Sequence, residues 1–485
     1  MSENLSENRV PTGIDGLDSL IEGGFPKGSL VLLAGNPGTG KTIFGMQFLY
    51  RGAEDYGENG IYVSFAENED TIIHNISRLL GRDLRKREEG DGKVKILDFT
   101  TVTEKGLSTV LEMILEEVTR LKAKRLVIDS FSAMAQAFKE PIEARIIIHN
   151  ILGKLVRQLE CTTILIVEVP TGSEKIGISI EEFVADGVIV LRKDDYDGRL
   201  IREIKIPKLR GTKIEQQRFL FTLNEGFQVF PPFSVKKVGS KKFEPIGGTK
   251  THYPSGIPEL DKILGGEGYP RGCSVLFEMG ENVPVDALDS VINPTLANFI
   301  MRKRGAIFIP IIEYGPEDIR KMISSFTGEE KFDEFARVMA FPNPLIDMNK
   351  PYIIAWQDPT VEDIGAIENF NRYIQTAVEL SSRLGKNVVH LLSGDSLAYI
   401  VERFTSSVIG RSVIANRLGK DLMIYVSKPS IPEMTKVFAD TLSIHFKIEE
   451  RNGSMILFGK KPKTIIYNIE PDASRGCRVK FTPIV

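Results

Sequence analysis

The chain has 485 residues, of which 42% are hydrophobic and 26% are charged, and its formal net charge is −3. This length exceeds a single compact core and predicts a multidomain globular protein. The small net charge provides no overall field for nucleic acid or an anionic membrane, and the three cysteines and five histidines are too scattered for a disulfide framework or a zinc site.

The amino-terminal segment, residues 1–8, is polar and acidic, whereas a secretory signal is basic and then apolar. No apolar run approaches the ~18 residues that span a bilayer, and the strongest run, at 163–169, has the length of a buried strand. We therefore expect a cytoplasmic protein with no membrane partner.

Residues 35–42 read Gly-Asn-Pro-Gly-Thr-Gly-Lys-Thr, a full match to G-x-x-x-x-G-K-[ST], between an apolar run at 29–34 and a helical run at 43–50. A strand that turns through glycines into a helix directs backbone N–H groups into one concavity, which suits a polyphosphate. Lys41 is expected to reach the β- and γ-phosphates, and the Thr42 hydroxyl to bind Mg²⁺. The sequence therefore predicts a nucleoside triphosphate site.

Short β-rich runs at 30–34, 61–65, 94–99, 125–129 and 163–169 alternate with helical stretches such as 107–122 and 143–159. Because these runs are Val/Ile/Leu-rich on both faces, they predict a mostly parallel sheet covered by helices. Later runs at 187–192, 202–206 and 218–223 predict antiparallel strands appended at the edge. The expected fold class is α/β.

Three acidic residues follow or end predicted strands. Asp129 ends an apolar run and is the expected second Mg²⁺ carboxylate; the alternative is that it caps the next helix. Glu67 follows the 61–65 run and is the candidate group that orients or deprotonates water, with Glu69 in reserve; an ordinary surface carboxylate is the alternative. Glu168 either senses the γ-phosphate or is a solvated strand end. The residues expected to bind the nucleotide are Asn36, Pro37, Gly38, Thr39, Gly40, Lys41, Thr42, Ile43 and Glu168.

Several segments of the first half recur in the second. The 12–20 segment matches 255–263, 24–29 matches 268–273, 60–63 matches 305–308, and 183–186 matches 437–440. The repeats predict two related domains, 1–235 and 251–485, joined by a linker at 236–250. The stretch 235–242 carries four lysines. A solvated connector between the domains is the simpler interpretation, and a nucleic-acid-binding patch is the alternative.

The second half lacks a phosphate loop at the equivalent position. Residues 279–287 contain one glycine and no Lys-Thr pair, and Glu281 and Asp286 would repel phosphate. Glu313 corresponds to Glu67, and a Ser-Gly-Asp-Ser sequence at 393–396 follows an apolar strand. We expect a pseudo-ATPase domain that keeps the fold and serves assembly or partner contact.

Six motifs together resemble the KaiC family of RecA-type ATPases. They are residues 12–18, 23–28, the phosphate loop, 128–130, 181–186 and Lys-Leu-Arg-Gly-Thr at 208–212, and the resemblance covers nearly all of 10–232. The two-domain layout also resembles archaeal KaiC-like proteins, including gas-vesicle regulators.

This resemblance implies tandem RecA-like domains that bind ATP or ADP with Mg²⁺, in a homo-hexamer or another homo-oligomer with nucleotide at subunit interfaces. Lys208 and Arg210 would then be trans-acting fingers for the γ-phosphate of a neighbouring subunit, which agrees with their shared strand face. The family usually has two adjacent glutamates after the second strand. Ala66-Glu67 stands there in this chain, so turnover is expected to be slow or to depend on Glu67.

The leading hypothesis is an ATP-hydrolysing regulatory ATPase that acts as a nucleotide-dependent switch or assembly factor in signalling, with an unidentified protein partner. A RecA-type recombinase or helicase is the alternative. The 171–179 loop has one Lys, one Glu and no aromatic residue, which argues against strand binding, whereas basic residues at 82–87 keep that alternative open. A nucleotide-binding scaffold with negligible hydrolysis is a third hypothesis, suggested by Ala66.

Overall fold

The computed structural model describes residues 8–81, 93–100, 107–135, 156, 158–169, 185–234, 241–340, 344–356, 362–400 and 406–485. The chain divides into two compact units. Unit 1 comprises Met1–Pro232 with Asn452–Ser454 and Pro483–Val485, and unit 2 comprises Phe233–Arg451 with Met455–Thr482. Residues 241–250 form neither helix nor strand.

Unit 1 contains a nine-stranded sheet in the order β11-β10-β9-β8-β3-β7-β6-β4-β5. Strands β3 to β8 pair in parallel, and β8 to β11 pair in antiparallel fashion. The strands are β1 Arg9–Val10, β2 Phe25–Pro26, β3 Leu30–Gly35, β4 Gly60–Ser64, β5 Val94–Asp98, β6 Arg125–Asp129, β7 Thr162–Glu168, β8 Gly187–Asp195, β9 Leu200–Leu209, β10 Arg218–Thr222 and β11 Gln228–Phe230. The helices are α1 Lys41–Tyr56, α2 Glu69–Leu80, α3 Leu107–Leu121 and α4 Phe131–Ala135.

Both faces of this sheet are buried. Alternate β3 residues face opposite layers: Val31 and Leu33 pack with Phe44 of α1, whereas Leu32 packs with Ile114 of α3. All six β3 residues are therefore buried, which explains why its sequence is continuously apolar.

Unit 2 contains a ten-stranded sheet in the order β17-β16-β15-β18-β19-β14-β20-β21-β22-β23. Strand β14 lies between two parallel partners, β19 and β20, as β3 lies between β7 and β8. The strands are β12 His252–Tyr253, β13 Tyr269–Pro270, β14 Ser274–Met279, β15 Ala306–Ile309, β16 Ala336–Ala340, β17 Ile353–Ala355, β18 Val389–Ser393, β19 Leu422–Ser427, β20 Ile444–Arg451, β21 Ser454–Lys461, β22 Lys463–Pro471 and β23 Val479–Pro483. The helices are α5 Pro258–Ile263, α6 Val285–Met301, α7 Pro316–Thr327, α8 Glu329–Phe335, α9 Glu362–Leu384, α10 Gly394–Ile400, α11 Ser406–Gly419 and α12 Pro432–Thr441.

The predicted α/β class, with parallel strands, covering helices and appended antiparallel strands, is confirmed. Most of the predicted helical stretch at 143–159 lies outside the described residues. None of the described helices combines the length and apolar character needed to cross a bilayer.

Candidate nucleotide site

The phosphate loop of unit 1 joins β3 to α1 through five residues. Gly38 and Gly40 adopt φ values of +74° and +99°, a region that side chains disfavour, so the turn depends on glycine. Thr39 Oγ1 donates to the Asn36 carbonyl at 2.8 Å, and Asn36 Nδ2 donates to the Val169 carbonyl at 2.9 Å. The loop is thus fixed against the end of β7, and the first N–H groups of α1 face it at the positive helix end.

Lys41 lies folded over this loop. It is 8% exposed, and its Nζ donates to the carbonyls of Gly35 at 2.9 Å and Asn36 at 3.0 Å. Burial lowers the pKa of Lys41, and the charges of Glu168 and then Asp129 oppose that shift. The Lys41 ammonium group is therefore held next to the loop by two backbone carbonyls and attracted by the charges of Glu168 and Asp129.

Thr42 and Asp129 bring together two oxygen atoms that could bind a metal ion. Thr42 Oγ1 donates to Asp129 Oδ2 at 2.8 Å, and the Tyr62 hydroxyl donates to the same oxygen. Burial, and then the charge of Asp129, raise the pKa of Tyr62 well above its usual value, so Tyr62 stays a donor. A hydroxyl and a carboxylate oxygen at the phosphate loop fit Mg²⁺, which prefers oxygen ligands.

The described residues contain no group of three or more His, Cys, Asp or Glu side chains able to hold a metal. The Thr42–Asp129 pair alone is too small a ligand set to form a metal cage. It suits an ion that takes its remaining ligands from water and substrate phosphates, as Mg²⁺ does.

Glu67 is exposed and follows β4, the strand next to β6. Ser64 ends β4 opposite Asp129, and its hydroxyl accepts the Glu67 N–H at 3.2 Å and donates to the Glu67 carbonyl at 2.5 Å. This turn fixes the Glu67 backbone at the carboxyl edge of the sheet, the edge at which the parallel strands end. Glu69 lies instead in the first turn of α2, where a carboxylate favours the positive helix end.

Glu168 is the last residue of β7 and lies opposite Gly35 in the parallel register. It is exposed, and its backbone N–H donates to Ser132 Oγ at 2.9 Å. Of the two acids that act on Lys41, Glu168 has the larger effect on the Lys41 pKa. Glu168 therefore lies beside the phosphate loop together with Lys41, Thr42 and Asp129.

Lys208 and Arg210 lie toward the opposite end of the parallel strands, near the starts of β3 and β8. Lys208 pairs with Val188, and its Nζ donates to the Ala185 carbonyl at 2.7 Å. Arg210 forms an ion pair with Asp186 at 3.2 Å, and Asp186 also accepts the Leu30 N–H at the start of β3. The structure therefore separates these two cations from the phosphate loop, which follows the end of β3.

Two cations beside the phosphate loop were missed by sequence reasoning. Arg202 Nη1 donates to the Gly38 carbonyl at 3.3 Å, and Lys193 Nζ lies 3.1 Å from the position that a Cβ on Gly38 would take. The two residues face each other across β8 and β9. The predicted edge strands contained Arg202, but only the hairpin register places the pair at the loop.

The equivalent edge of unit 2 has a different charge arrangement. Five residues, 280–284, join β14 to α6, whose first helical residue follows Pro284 without a capping side chain. Lys428 follows β19 and binds Glu313 at 2.9 Å and Asp395 at 3.3 Å. Because β19 pairs with β14 as β7 pairs with β3, a lysine stands here near the position that Glu168 takes in unit 1.

Two predicted segments lie outside the described residues, namely the 171–179 loop and the basic 82–87 stretch, together with residues 181–184 of the family motif.

Comparison with protein families gives two matches that divide the chain. The model "ATPase: KaiC" matches residues 10–233, and the model "GvpD basic region 2" matches residues 242–485. A UPF0273 protein of Methanocaldococcus jannaschii is 36% identical over 246 residues, covering 47% of this chain and 98% of that protein.

Circadian clock oscillator proteins KaiC are also similar. The Prochlorococcus marinus protein is 32% identical over 274 residues, covering 55% of this chain and 53% of its own length. The Thermostichus vulcanus protein is 34% identical over 266 residues, covering 53% and 49%. The chain thus spans about half the length of these KaiC proteins.

Among solved structures, a KaiC-like protein from Pyrococcus horikoshii is 38% identical and covers 46% of this chain and 99% of its own, with a TM-score of 0.41. The predicted family resemblance is confirmed by the family and sequence matches. The chain belongs to the KaiC family of ATPases through residues 10–233, and to the GvpD basic region 2 family through residues 242–485.

Proposed function

We propose that unit 1 binds and slowly hydrolyses ATP, and that the chain acts as a nucleotide-dependent switch or assembly factor built from several copies. The observation that carries this proposal is the convergence of Lys41, Thr42 and Asp129 at a glycine turn between β3 and α1. A phosphate-binding lysine and two Mg²⁺-type oxygens at one loop are the parts that phosphoryl transfer needs.

Each residue has a defined task in this proposal. Lys41 exchanges its bonds to the Gly35 and Asn36 carbonyls for phosphate oxygens, and the loop N–H groups bind the same phosphates. Thr42 and Asp129 hold Mg²⁺, which when bound offsets negative charge on the phosphoryl group. Glu67 orients the attacking water or accepts its proton at the carboxyl edge.

Glu168 supplies a sensor for the occupied loop. Its carboxylate acts on Lys41, so the negative charge of a γ-phosphate near Lys41 also repels Glu168. Because the Glu168 N–H is bonded to Ser132, movement at this strand end is transmitted to α4. This coupling supports a switch function in addition to hydrolysis.

Unit 2 fits a pseudo-ATPase role in this proposal. Lys428 already pairs with Glu313 and Asp395, which lie at the edge of the unit 2 sheet that corresponds to the nucleotide site of unit 1. Asp286 lies in the first turn of α6, where a phosphate would otherwise bind. We therefore assign nucleotide binding to unit 1 alone.

The test is phosphate release from Mg²⁺-ATP by the purified full chain, paired with equilibrium binding of labelled ATP. Lys41→Ala should lower turnover about 100-fold or more, the scale seen when one preorganised charge contact is lost. Lys95→Ala removes a partly exposed lysine from strand β5 and should leave turnover unchanged.

Three results would contradict the proposal in different ways. No ATP uptake at saturating concentration removes the site itself. Uptake without phosphate release removes hydrolysis and leaves a scaffold. A salt-dependent gel shift with single-stranded DNA that requires ATP would favour the recombinase alternative.

A further inference from the structure

Unit 2 contains a cavity of about 410 Å³ whose lining is rich in cations. Five basic side chains line it: Arg271, Arg302, Lys303, Arg304 and Lys386. A cavity of this size is in the range of small-molecule sites.

The cavity lies at the amino edge of the unit 2 sheet, the edge at which the parallel strands begin. Arg271 precedes β14, Arg304 precedes β15, and Lys386 precedes β18. A nucleotide site of the unit 1 type lies after β3, at the carboxyl edge. The cavity is therefore not the remnant of a lost phosphate loop.

Carboxylates of the described residues do not balance the five cations. Within the described part of the chain, none of them forms an ion pair within 4.0 Å. Arg271 Nε is buried with no hydrogen-bond partner. The charge of Asp421 acts on Arg304, but Asp421 Oδ1 already accepts the Val388 N–H at 2.9 Å.

The cations also act on one another. Burial lowers the pKa of Arg304; Tyr253 and Asp421 oppose that shift, and the charges of Arg271 and Arg302 add to it. The carboxyl end of α6 lies here and favours some positive charge, but a helix end carries only about half a unit charge. Five cations exceed what this helix end needs, so a bound anion would relieve the excess.

Two of the guanidinium groups are held in fixed positions. Arg271 and Arg304 lie over the ring of Tyr253 at 4.7 Å and 5.2 Å, and Arg271 Nη2 donates to the Thr249 carbonyl at 2.6 Å. Tyr253 is itself anchored, because its hydroxyl donates to the Lys420 carbonyl at 2.8 Å. The arginines are therefore preorganised instead of freely mobile.

Unit 1 provides an internal comparison through the repeated segments. Lys27 stands where unit 2 has Arg271, and it is paired with Glu160 at 3.0 Å. In unit 1, Glu58 and Asn59 occupy the positions that correspond to Lys303 and Arg304, and Glu58 is paired with Arg125 at 2.6 Å. The unbalanced positive charge is thus particular to unit 2 and does not follow from the fold.

We propose that this cavity binds a small molecule that carries at least two phosphate groups. Guanidinium groups bind phosphate oxygens through two parallel hydrogen bonds, and the flanking lysines add charge without fixed geometry. Two or more phosphates are needed to balance five cations within one small cavity.

The experiment is calorimetric titration of inorganic pyrophosphate into the full chain carrying Lys41→Ala, so that the unit 1 site is disabled. One pyrophosphate per chain should bind at about physiological salt. Adding Arg304→Gln, or separately the exposed Arg302→Gln, should weaken binding about tenfold or more, as expected for a lost charged hydrogen bond. Lys321→Gln removes an exposed lysine from α7 outside the cavity lining and should change nothing.

The unfolding transition of Arg302→Gln is measured by the fluorescence of Trp356, the single tryptophan. An unchanged transition shows that the variant has lost binding and not its fold. Equal pyrophosphate affinity with and without the arginine substitutions would overturn the proposal, as would the absence of binding in the Lys41→Ala chain. Arginine-dependent binding of a single-stranded oligonucleotide without binding of pyrophosphate would overturn it in favour of a nucleic-acid surface.

Discussion

Asp289 is a half-buried residue on α6 of unit 2. Burial raises its pKa to about 7, the Tyr314 hydroxyl, 2.6 Å from Oδ2, opposes the shift, and the charge of Asp286 adds to it. The folded chain therefore holds this proton more tightly than the unfolded chain does. The stability from Asp289 is complete below its unfolded pKa, near 4, and is lost as the pH rises through about 7.

We predict that Asp289→Asn stabilises unit 2 more at pH 8 than at pH 5, by a difference on the order of 2 kcal/mol. Urea unfolding of the full chain at both pH values measures this, and Trp356, the single tryptophan of the sequence and a buried residue, reports on unit 2. Glu281→Gln removes an exposed acid and is the control. Equal effects of Asp289→Asn at both pH values would contradict the raised pKa.

Single residues of the site differ in how far the sequence reveals them. Lys41 and Asp129 could be assigned because each follows directly from a motif or a strand end. Lys193 and Arg202 could not, since their place beside Gly38 depends on the pairing register of β8 and β9. Lys428 was missed for the same reason, because its acidic partners follow two other strands.

At the scale of elements, α1 lies close to the sheet because two of its glycines face it. A Cβ on Gly45 would lie 2.9 Å from Val127 Cγ1, and one on Gly52 would lie 2.2 Å from Arg125 Nε. Arg125 is fully buried and held by Glu58 and the Phe48 carbonyl. It therefore has little freedom to move aside.

We expect Gly52→Ala to lower the free energy of unfolding by about 1–3 kcal/mol, because overpacking outweighs the gain in helix propensity. Chemical unfolding followed by circular dichroism measures the change. The contrasting substitution is Gly410→Ala in α11, where the added methyl group meets no atom within 4 Å and should stabilise by about 0.5–1 kcal/mol. Stabilisation by both substitutions would show that α1 is not sterically restricted at Gly52.

The sequence predicted the strands of unit 1 closely. Predicted runs at 125–129 and 30–34 correspond to Arg125–Asp129 and Leu30–Gly35. Apolar runs mark where a strand is buried, but strand order is a property of the packed sheet. The position of β3 between β7 and β8 could not be read from spacing, although it decides which side chains surround the phosphate loop.

At the scale of the whole molecule, Arg210 lies about 16 Å and Lys208 about 10 Å along β3 from the strand end at which its own phosphate loop begins, the lengths of about five and three strand residues. Both side chains are also bonded to residues that precede β8, Lys208 to Ala185 and Arg210 to Asp186, and so are directed away from that loop. If they act on ATP, the nucleotide must belong to another copy of the chain, which supports a homo-oligomer with shared sites.

We predict that Lys208→Ala or Arg210→Ala lowers ATP turnover about 100-fold and reduces the native mass measured by light scattering with ATP. Lys213→Ala removes a nearby exposed cation paired with Glu215 and should preserve both properties. Mixing Arg210→Ala with Lys41→Ala chains should restore part of the turnover, because each supplies what the other lacks. A monomer with full turnover would contradict the shared site.

Lys428 gives unit 2 a charge compensation that cannot dissociate, since its ammonium group is tethered to the chain beside Glu313 and Asp395. Magnesium held by Thr42 and Asp129, as proposed for unit 1, would by contrast dissociate at low magnesium concentration or with a chelator. Unit 1 is therefore expected to respond to the concentrations of magnesium and ATP. The charge balance at the corresponding edge of unit 2 is expected to stay the same at any concentration of either.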